Sequence, residues 1–185
     1  MITRFGFAPR KAGTTRSEFQ DHWRNVHGPI IRDMPHLLGY RQNHAPDSFT
    51  LDGIRHDACA ETDFATEDAM ERAFASQYYR EVVMPDEARF VQRGEGFAVL
   101  TFAPETRLPD SSTRRIFLLR RDRDEKALAE LEQARLPVSI FRPTVRQISP
   151  KADGVLAIIV AGEDRQSALP PFAHAGLLAD CAVVV

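Results

Sequence analysis

The chain has 185 residues, of which 43% are hydrophobic and 27% charged, and its formal net charge is −2. This length fits one large domain or two small ones, with enough apolar residues for a packed core. The charge balance argues against a nucleic-acid partner, which would require a basic surface, and no apolar run approaches the ~20 residues of a membrane helix. Cys59 and Cys181 lie in apolar runs, so we expect free thiols in a reducing compartment and a cytoplasmic location.

The first half predicts six elements in the order strand, helix, strand, strand, helix, strand. Thr15 followed three residues later by Glu18 forms a capping box, so a helix begins there with its apolar residues on one face. Gly28-Pro29 is expected to break or kink this helix near His27. The other elements are strands at 2–7, 37–45, 57–64 and 96–102, helical stretches at 67–76 and 78–91, and a loop at 46–56. This order is that of the ferredoxin-like plait.

The second half repeats the order in a shorter form. Residues 103–113 contain two prolines and several turn formers, which is typical of a linker. The elements that follow are strands at 114–121, 154–162 and 177–185, one or two strands at 137–149, and helices at 124–134 and 163–172. The sequence therefore predicts an α+β fold of two tandem ferredoxin-like halves, one at 1–102 and a degenerate one at 114–185. A plait leaves one sheet face uncovered, so we expect the two halves to bury these faces together.

Four segments of the first half resemble the EthD-type family of the dimeric α/β-barrel superfamily. They are "WRNVHGP" at 23–29, "YRQNH" at 40–44, "DACAETDF" at 57–64 and "DEARFV" at 86–91, and the resemblance covers about 1–102. It implies that two ferredoxin-like units pair face to face into a barrel, here as a pseudo-dimer within one chain, with a homodimer as a further possibility. It also implies the breakdown or tailoring of ethers, aromatics and polyketide-like molecules, often under an oxidoreductase label.

The histidines are concentrated at residues 21–44, which also contain the only tryptophan. His27 is the candidate general base or acid, because imidazole titrates near neutral pH; the alternative is that it caps helix carbonyls. Trp23 is expected in the core or in the wall of a substrate pocket, and His22 and His36 are expected to be exposed. His22 and His27 are five residues apart, which separates them on an α-helix and argues against a metal site.

Two predicted strands carry polar side chains on alternate positions, and alternate positions share a face. The sets are Tyr40, Gln42 and His44 on one strand and Cys59, Glu61 and Asp63 on the next. The small and aromatic residues between the latter suit packing under helices, so Glu61 is expected to face the barrel interior. There Glu61 would form an acid/base pair with His44 or Tyr40, while Gln42 and Asp63 contact the substrate. The alternative for Glu61 is a structural hydrogen-bond network between the two sheets.

The sequence thus predicts a protein that binds and turns over a small apolar, aromatic molecule. His27 would be the base or acid, with Glu61, Tyr40 and His44 orienting the substrate or stabilising an enolate. No phosphate loop, nucleophile motif or metal-ligand spacing is present, so no metal or nucleotide cofactor is expected. Haem, bound by some relatives in the superfamily, would need a histidine on the pocket wall, and His44 or His174 could serve. The competing function is a non-catalytic binding or accessory protein of a degradation pathway.

Overall fold

The structure, a computed structural model, describes residues 1–51, 54–107, 113–162 and 177–183. The elements of the first half are β1 (Ile2–Ala8), α1 (Arg16–His22), α2 (Gly28–Arg32), β2 (Leu37–Leu51), β3 (Ile54–Phe64), α3 (Glu67–Phe74), α4 (Met84–Phe90) and β4 (Phe97–Phe102). Those of the second half are β5 (Thr113–Arg120), α5 (Glu125–Ala134), β6 (Val138–Phe141), a 3₁₀ turn (Pro150–Ala152), β7 (Val155–Gly162) and β8 (Leu177–Val183). The helix predicted at 163–172 lies outside the described residues.

The eight strands of the described residues belong to one antiparallel sheet with the order β4-β1-β3-β2-β8-β5-β7-β6. Each half contributes its strands in the same relative order (fourth, first, third, second), which confirms the two tandem ferredoxin-like halves. They join at β2 and β8, where residues 41–44 pair with 180–183. At the opposite edge the N–H of Phe102 donates to the carbonyl of Arg142 at 2.8 Å, and the N–H of Thr144 donates to that of Leu100 at 2.9 Å. The sheet therefore closes into a barrel through its edges.

The barrel interior is filled by apolar side chains from both halves. Phe5 from β1 and Phe141 from β6 meet edge to face with their ring centroids 4.8 Å apart. Val99, Ile116 and Ile158 belong to the same buried cluster. Because this core draws on both halves, the uncovered faces of the two plaits bury each other, as expected. Each outer face carries helices instead, and every helix among the described residues is too short or too polar to cross a bilayer.

The loop predicted at 46–56 is wrong, because β2 and β3 continue through it as a long hairpin. After His44 the pairing shifts register and resumes at Phe49, which lies opposite His56. Pro46 falls in this irregular segment, where the ladder does not require a backbone N–H donor. The turn formers that suggested a loop therefore mark a bulge inside a strand.

The first helix begins as predicted but does not end at Gly28-Pro29. The Thr15 hydroxyl accepts from the N–H of Glu18 at 3.2 Å, and the Glu18 carboxylate accepts from the N–H of Thr15 at 2.8 Å. The helix then runs through a π-helical turn at Trp23–His27 directly into α2. In this turn the N–H of Gly28 reaches the carbonyl of Trp23. A π turn changes the hydrogen-bond ladder just before the proline, whose missing N–H then no longer ends the helix.

The helical stretch predicted at 78–91 also contains a π-helical turn just before a proline. A π-helical turn at Tyr79–Val83 precedes α4, which carries Pro85 in its first turn. The N–H of Met84 donates to the carbonyl of Tyr79. Both long helices of the first half therefore contain a wider turn over the sheet.

Candidate active site

A cavity of about 400 Å³ lies between the outer face of the first-half sheet and the helices that cover it. Its walls are mostly apolar and aromatic, and they include Phe19, Trp23, Ile31, Phe74 and Phe90. Ile148 and Ser149 from the second half complete the lining. A mostly apolar cavity of this size with a few polar groups is typical of a small-molecule site.

The candidate base His27 lines this cavity and is bound to a carboxylate. Its Nδ1 lies 2.9 Å from Oδ2 of Asp86, and Nε2 of His22 lies 2.9 Å from Oδ1 of the same side chain. The expectation that His22 and His27 lie on different helix faces is therefore wrong. They are five residues apart, and the π turn between them makes i and i+5 neighbours. His22 is consequently half-buried rather than exposed, whereas His36 is exposed in a turn as expected.

The His27–Asp86 pair has the geometry of an oriented base. A carboxylate only accepts hydrogen bonds, so Nδ1 of His27 carries the proton and Nε2 is available to a ligand. Burial lowers the pKa of His27, and the contact with Asp86 partly offsets that effect. The imidazole is therefore neutral at pH 7 and able to accept a proton.

Tyr40 lines the cavity from β2. The Trp23 indole N–H donates to this oxygen at 2.8 Å, and Nε2 of Gln42 donates to it at 3.3 Å. Both contacts use the oxygen as an acceptor, so its own proton remains free for a ligand oxygen. Burial raises the pKa of Tyr40, which keeps that proton in place.

His44 and Gln42 support this arrangement without lining the cavity. Nε2 of Gln42 donates to the carbonyl of Trp23 at 2.6 Å, and Oε1 of Gln42 lies 3.0 Å from Nε2 of His44. The His44 ring packs on Trp23 with the ring centroids 4.5 Å apart, and burial lowers the pKa of His44 to about 4. Of the polar set on β2, only Tyr40 reaches the cavity wall.

Glu61 and Asp63 lie on the opposite face of the sheet. Glu61 is paired with Arg41, not with Tyr40 or His44, so its side chain points into the barrel, as expected. The predicted acid/base pair of Glu61 with His44 or Tyr40 is therefore wrong, because successive residues of β2 alternate between the two faces.

The barrel-side acids form a buried network that joins the two halves. Glu61 accepts from Arg114 of β5 at 2.5 Å, from Asn43 at 3.0 Å and from Arg107 at 3.1 Å. Asp63 also accepts from Arg107, at 2.7 Å. These contacts of Glu61 match the alternative given for it, a structural hydrogen-bond network between the two sheets.

Sequence reasoning missed several polar residues of the cavity wall, among them Arg4, Tyr79 and Glu87. The Tyr79 hydroxyl donates to Oε2 of Glu87 at 3.3 Å. Burial raises the pKa of Glu87 above its ordinary value and raises that of Tyr79 to about 12. The helical spacing of the sequence could have identified Glu87. It follows Val83 by four residues and precedes Phe90 by three, which places an acid on an apolar helix face.

The residues that could hold a metal or haem are few. Among the described residues, no group of three or more histidine, cysteine or acidic side chains is placed to bind a metal ion. His44 does not line the cavity, and His174 lies outside the described residues. His27 does line it and has Nε2 available, and a carboxylate behind the ring is also common for histidines that bind metals. Haemin is therefore a necessary competitor in any ligand test.

The fold is that of a dimeric α/β barrel in which both ferredoxin-like halves belong to one chain. Residues 11–94 match the model of the EthD domain, which confirms the resemblance seen in the sequence. No curated protein matches the chain.

Solved structures resemble the chain in fold. An anthrone oxidase-like protein matches 99% of this chain and 93% of its own with a TM-score of 0.58 and 8% identity. A candidate monooxygenase from Fusobacterium nucleatum matches 100% of this chain and 92% of its own, with a TM-score of 0.54 and 8% identity. An EthD family protein from Bacillus halodurans matches 54% of this chain and 95% of its own, with a TM-score of 0.44 and 13% identity.

Proposed function

We propose that the chain binds a small, largely apolar molecule in the first-half cavity and transfers a proton with His27 as the general base. The observation that carries this proposal is the His27–Asp86 pair, which sets a neutral, oriented imidazole on the wall of an apolar cavity. The biological role we infer is the degradation or tailoring of such molecules. The EthD domain and the oxidase and monooxygenase names of the structural neighbours support this role.

The chemistry begins with removal of a proton from a carbon next to a carbonyl or from a phenol. Nε2 of His27 accepts that proton, and Asp86 stabilises the imidazolium that forms. The negative charge that develops on the substrate oxygen is met by the hydroxyl proton of Tyr40. Glu87, whose pKa is raised by burial, is the group suited to return a proton. Isomerisation, dehydration and oxygenation without a cofactor can all start from the same anion.

Ligand binding is the first experiment. Thermal unfolding would be followed with phenols, quinones, lactones, steroids and haemin, one at a time. A ligand at about 100 times its dissociation constant adds ~2.7 kcal/mol to the free energy of unfolding, which raises the melting temperature by roughly 5–10 °C for a chain of this size. We expect stabilisation by members of the aromatic set.

Proton transfer is then measured as incorporation of solvent deuterium into the bound compound. His27→Gln should lower the exchange rate by at least about 10²-fold, while the control His36→Asn, at an exposed turn position, should leave it unchanged. Binding without His27-dependent exchange would establish the accessory role instead. A haem absorption band that disappears in His27→Gln would show that this histidine is an iron ligand, and would refute its role as a base.

A further inference from the structure

We propose that Arg4 and Gly6 form a carboxylate-recognition site in the cavity, so that the ligand is a small apolar acid. This inference rests on the proposed function, because it concerns the same cavity and names the class of its ligand. It requires only binding, however, and does not depend on His27.

The first observation is the isolation of the Arg4 guanidinium. It lines the cavity, and within the described parts of the chain its side chain forms neither a hydrogen bond nor an ion pair. The guanidinium lies over the Phe74 ring, whose centroid is 5.0 Å from Cζ. Arg4 is half-buried, whereas Arg114 is buried and binds Glu61 and Asn43. A cation that is partly withdrawn from water into an apolar cavity is costly without a partner, so a ligand anion is the natural complement.

The second observation is the glycine beside it. Arg4 and Gly6 are two residues apart on β1, so they face the same side of the sheet. A Cβ atom added at Gly6 would lie 2.7 Å from Nη1 of Arg4, well inside van der Waals contact. The guanidinium therefore occupies the space that any other residue at position 6 would fill. Both residues line the cavity.

The third observation is the charge balance around Arg4. Glu87 is the acid whose charge acts on it, but the Glu87 carboxyl group accepts from Tyr79 and forms no ion pair with Arg4. Burial also raises the pKa of Glu87, which favours its neutral form. Arg4 is thus a net positive group at the wall of an aromatic cavity. Its planar fork suits a carboxylate, which accepts two parallel hydrogen bonds.

The test compares 2-naphthoate with its neutral analogue 2-naphthamide by isothermal titration calorimetry. We expect wild type to prefer the carboxylate by roughly 10- to 100-fold, the range for a charge-assisted contact. Arg4→Met should abolish this preference while naphthamide still binds. Gly6→Ala, which keeps the positive charge but displaces it, should reduce the preference in the same way. Arg89→Met, which removes an exposed positive charge, is the control and should retain it.

A structural role for Arg4 predicts other results. A structural Arg4 would make Arg4→Met melt at a lower temperature and bind both ligands more weakly to the same degree, whereas removing an unpaired, half-buried cation should not destabilise the fold. Three results would overturn the proposal. Wild type could bind the two compounds equally, the preference for the carboxylate could survive in Arg4→Met, or neither compound could bind. His27→Gln should keep the carboxylate preference. A variant that loses deuterium exchange but keeps the carboxylate preference affects only the proposed role of His27. A variant that loses the preference but keeps the exchange affects only the proposed role of Arg4.

Discussion

Replacing Glu61 with glutamine tests whether the buried acid is structural. The side chain is fully buried and accepts from Arg114 and Arg107, whose side chains are 6% and 22% exposed. Glu61→Gln keeps the shape but removes the charge that both arginines share. A buried ion pair that loses one partner costs ~3–5 kcal/mol, because the other charge stays buried. We expect the lower end of that range, since Arg107 can regain water at its exposed end.

The expected loss of about 3 kcal/mol corresponds to a fall in melting temperature of roughly 6–12 °C for a chain of this length. It would be measured by denaturant unfolding at pH 7, with Glu125→Gln as the matched control. Glu125 pairs with Arg121, but both side chains are about two-thirds exposed, at 64% and 65%. Such a surface pair contributes at most ~1 kcal/mol.

Ligand binding provides the second measurement on Glu61→Gln. Glu61 faces the barrel interior and the cavity lies on the other side of the sheet, so the dissociation constant of a cavity ligand should not change. A loss of stability below about 1 kcal/mol would refute the structural reasoning. Lost turnover with unchanged stability would instead make Glu61 a catalytic residue.

Three further predictions concern the cavity and its supports. Asp86→Asn should lower the pKa of His27 further, because the contact with Asp86 raises it. The acid limb of the pH profile of kcat/KM should therefore move to lower pH, and kcat/KM should fall at least about tenfold. Burial lowers the pKa of His44 from 6.5 to about 4. Between these two pH values the unfolded chain binds more protons than the folded chain, so the free energy of unfolding falls as the pH falls. His44→Asn should reduce this dependence of the free energy of unfolding on pH, measured by denaturant titrations. Ile148→Ala should weaken a cavity ligand by about 1 kcal/mol, or ~5-fold, while Val145→Ala, at a fully exposed position, should leave the calorimetric affinity unchanged.

Each of these predictions has a result that contradicts it. A pH profile of Asp86→Asn that matches wild type would remove Asp86 from the mechanism. An unchanged stability slope in His44→Asn would mean that this histidine is protonated equally in the folded and unfolded chains. Equal effects of Ile148→Ala and Val145→Ala would show that the second half does not contact the ligand.

Local sequence patterns alone determined most of the fold. Thr15 with Glu18, and Thr66 before α3, mark helix starts because the caps satisfy backbone donors within one turn. The alternation along 57–64 assigned Glu61 to the interior and its small neighbours to the helix side, because strand side chains alternate. The candidate base His27 was also chosen from the local sequence, at the helix end that resembles the EthD family. These features depend on residues close in the chain, so they can be read without tertiary contacts.

The tertiary structure decided which polar groups meet. Asp86 reaches His27 across 59 residues, and no local pattern contains that contact. The π turn that aligns His22 with His27 breaks the regular helical period from which their separation was predicted. Tyr40 and Glu61 were expected in one pocket but lie on opposite faces, because strand register fixes which side each residue takes. The sequence determined the elements and their faces, and only packing between distant elements placed a cavity on one of those faces.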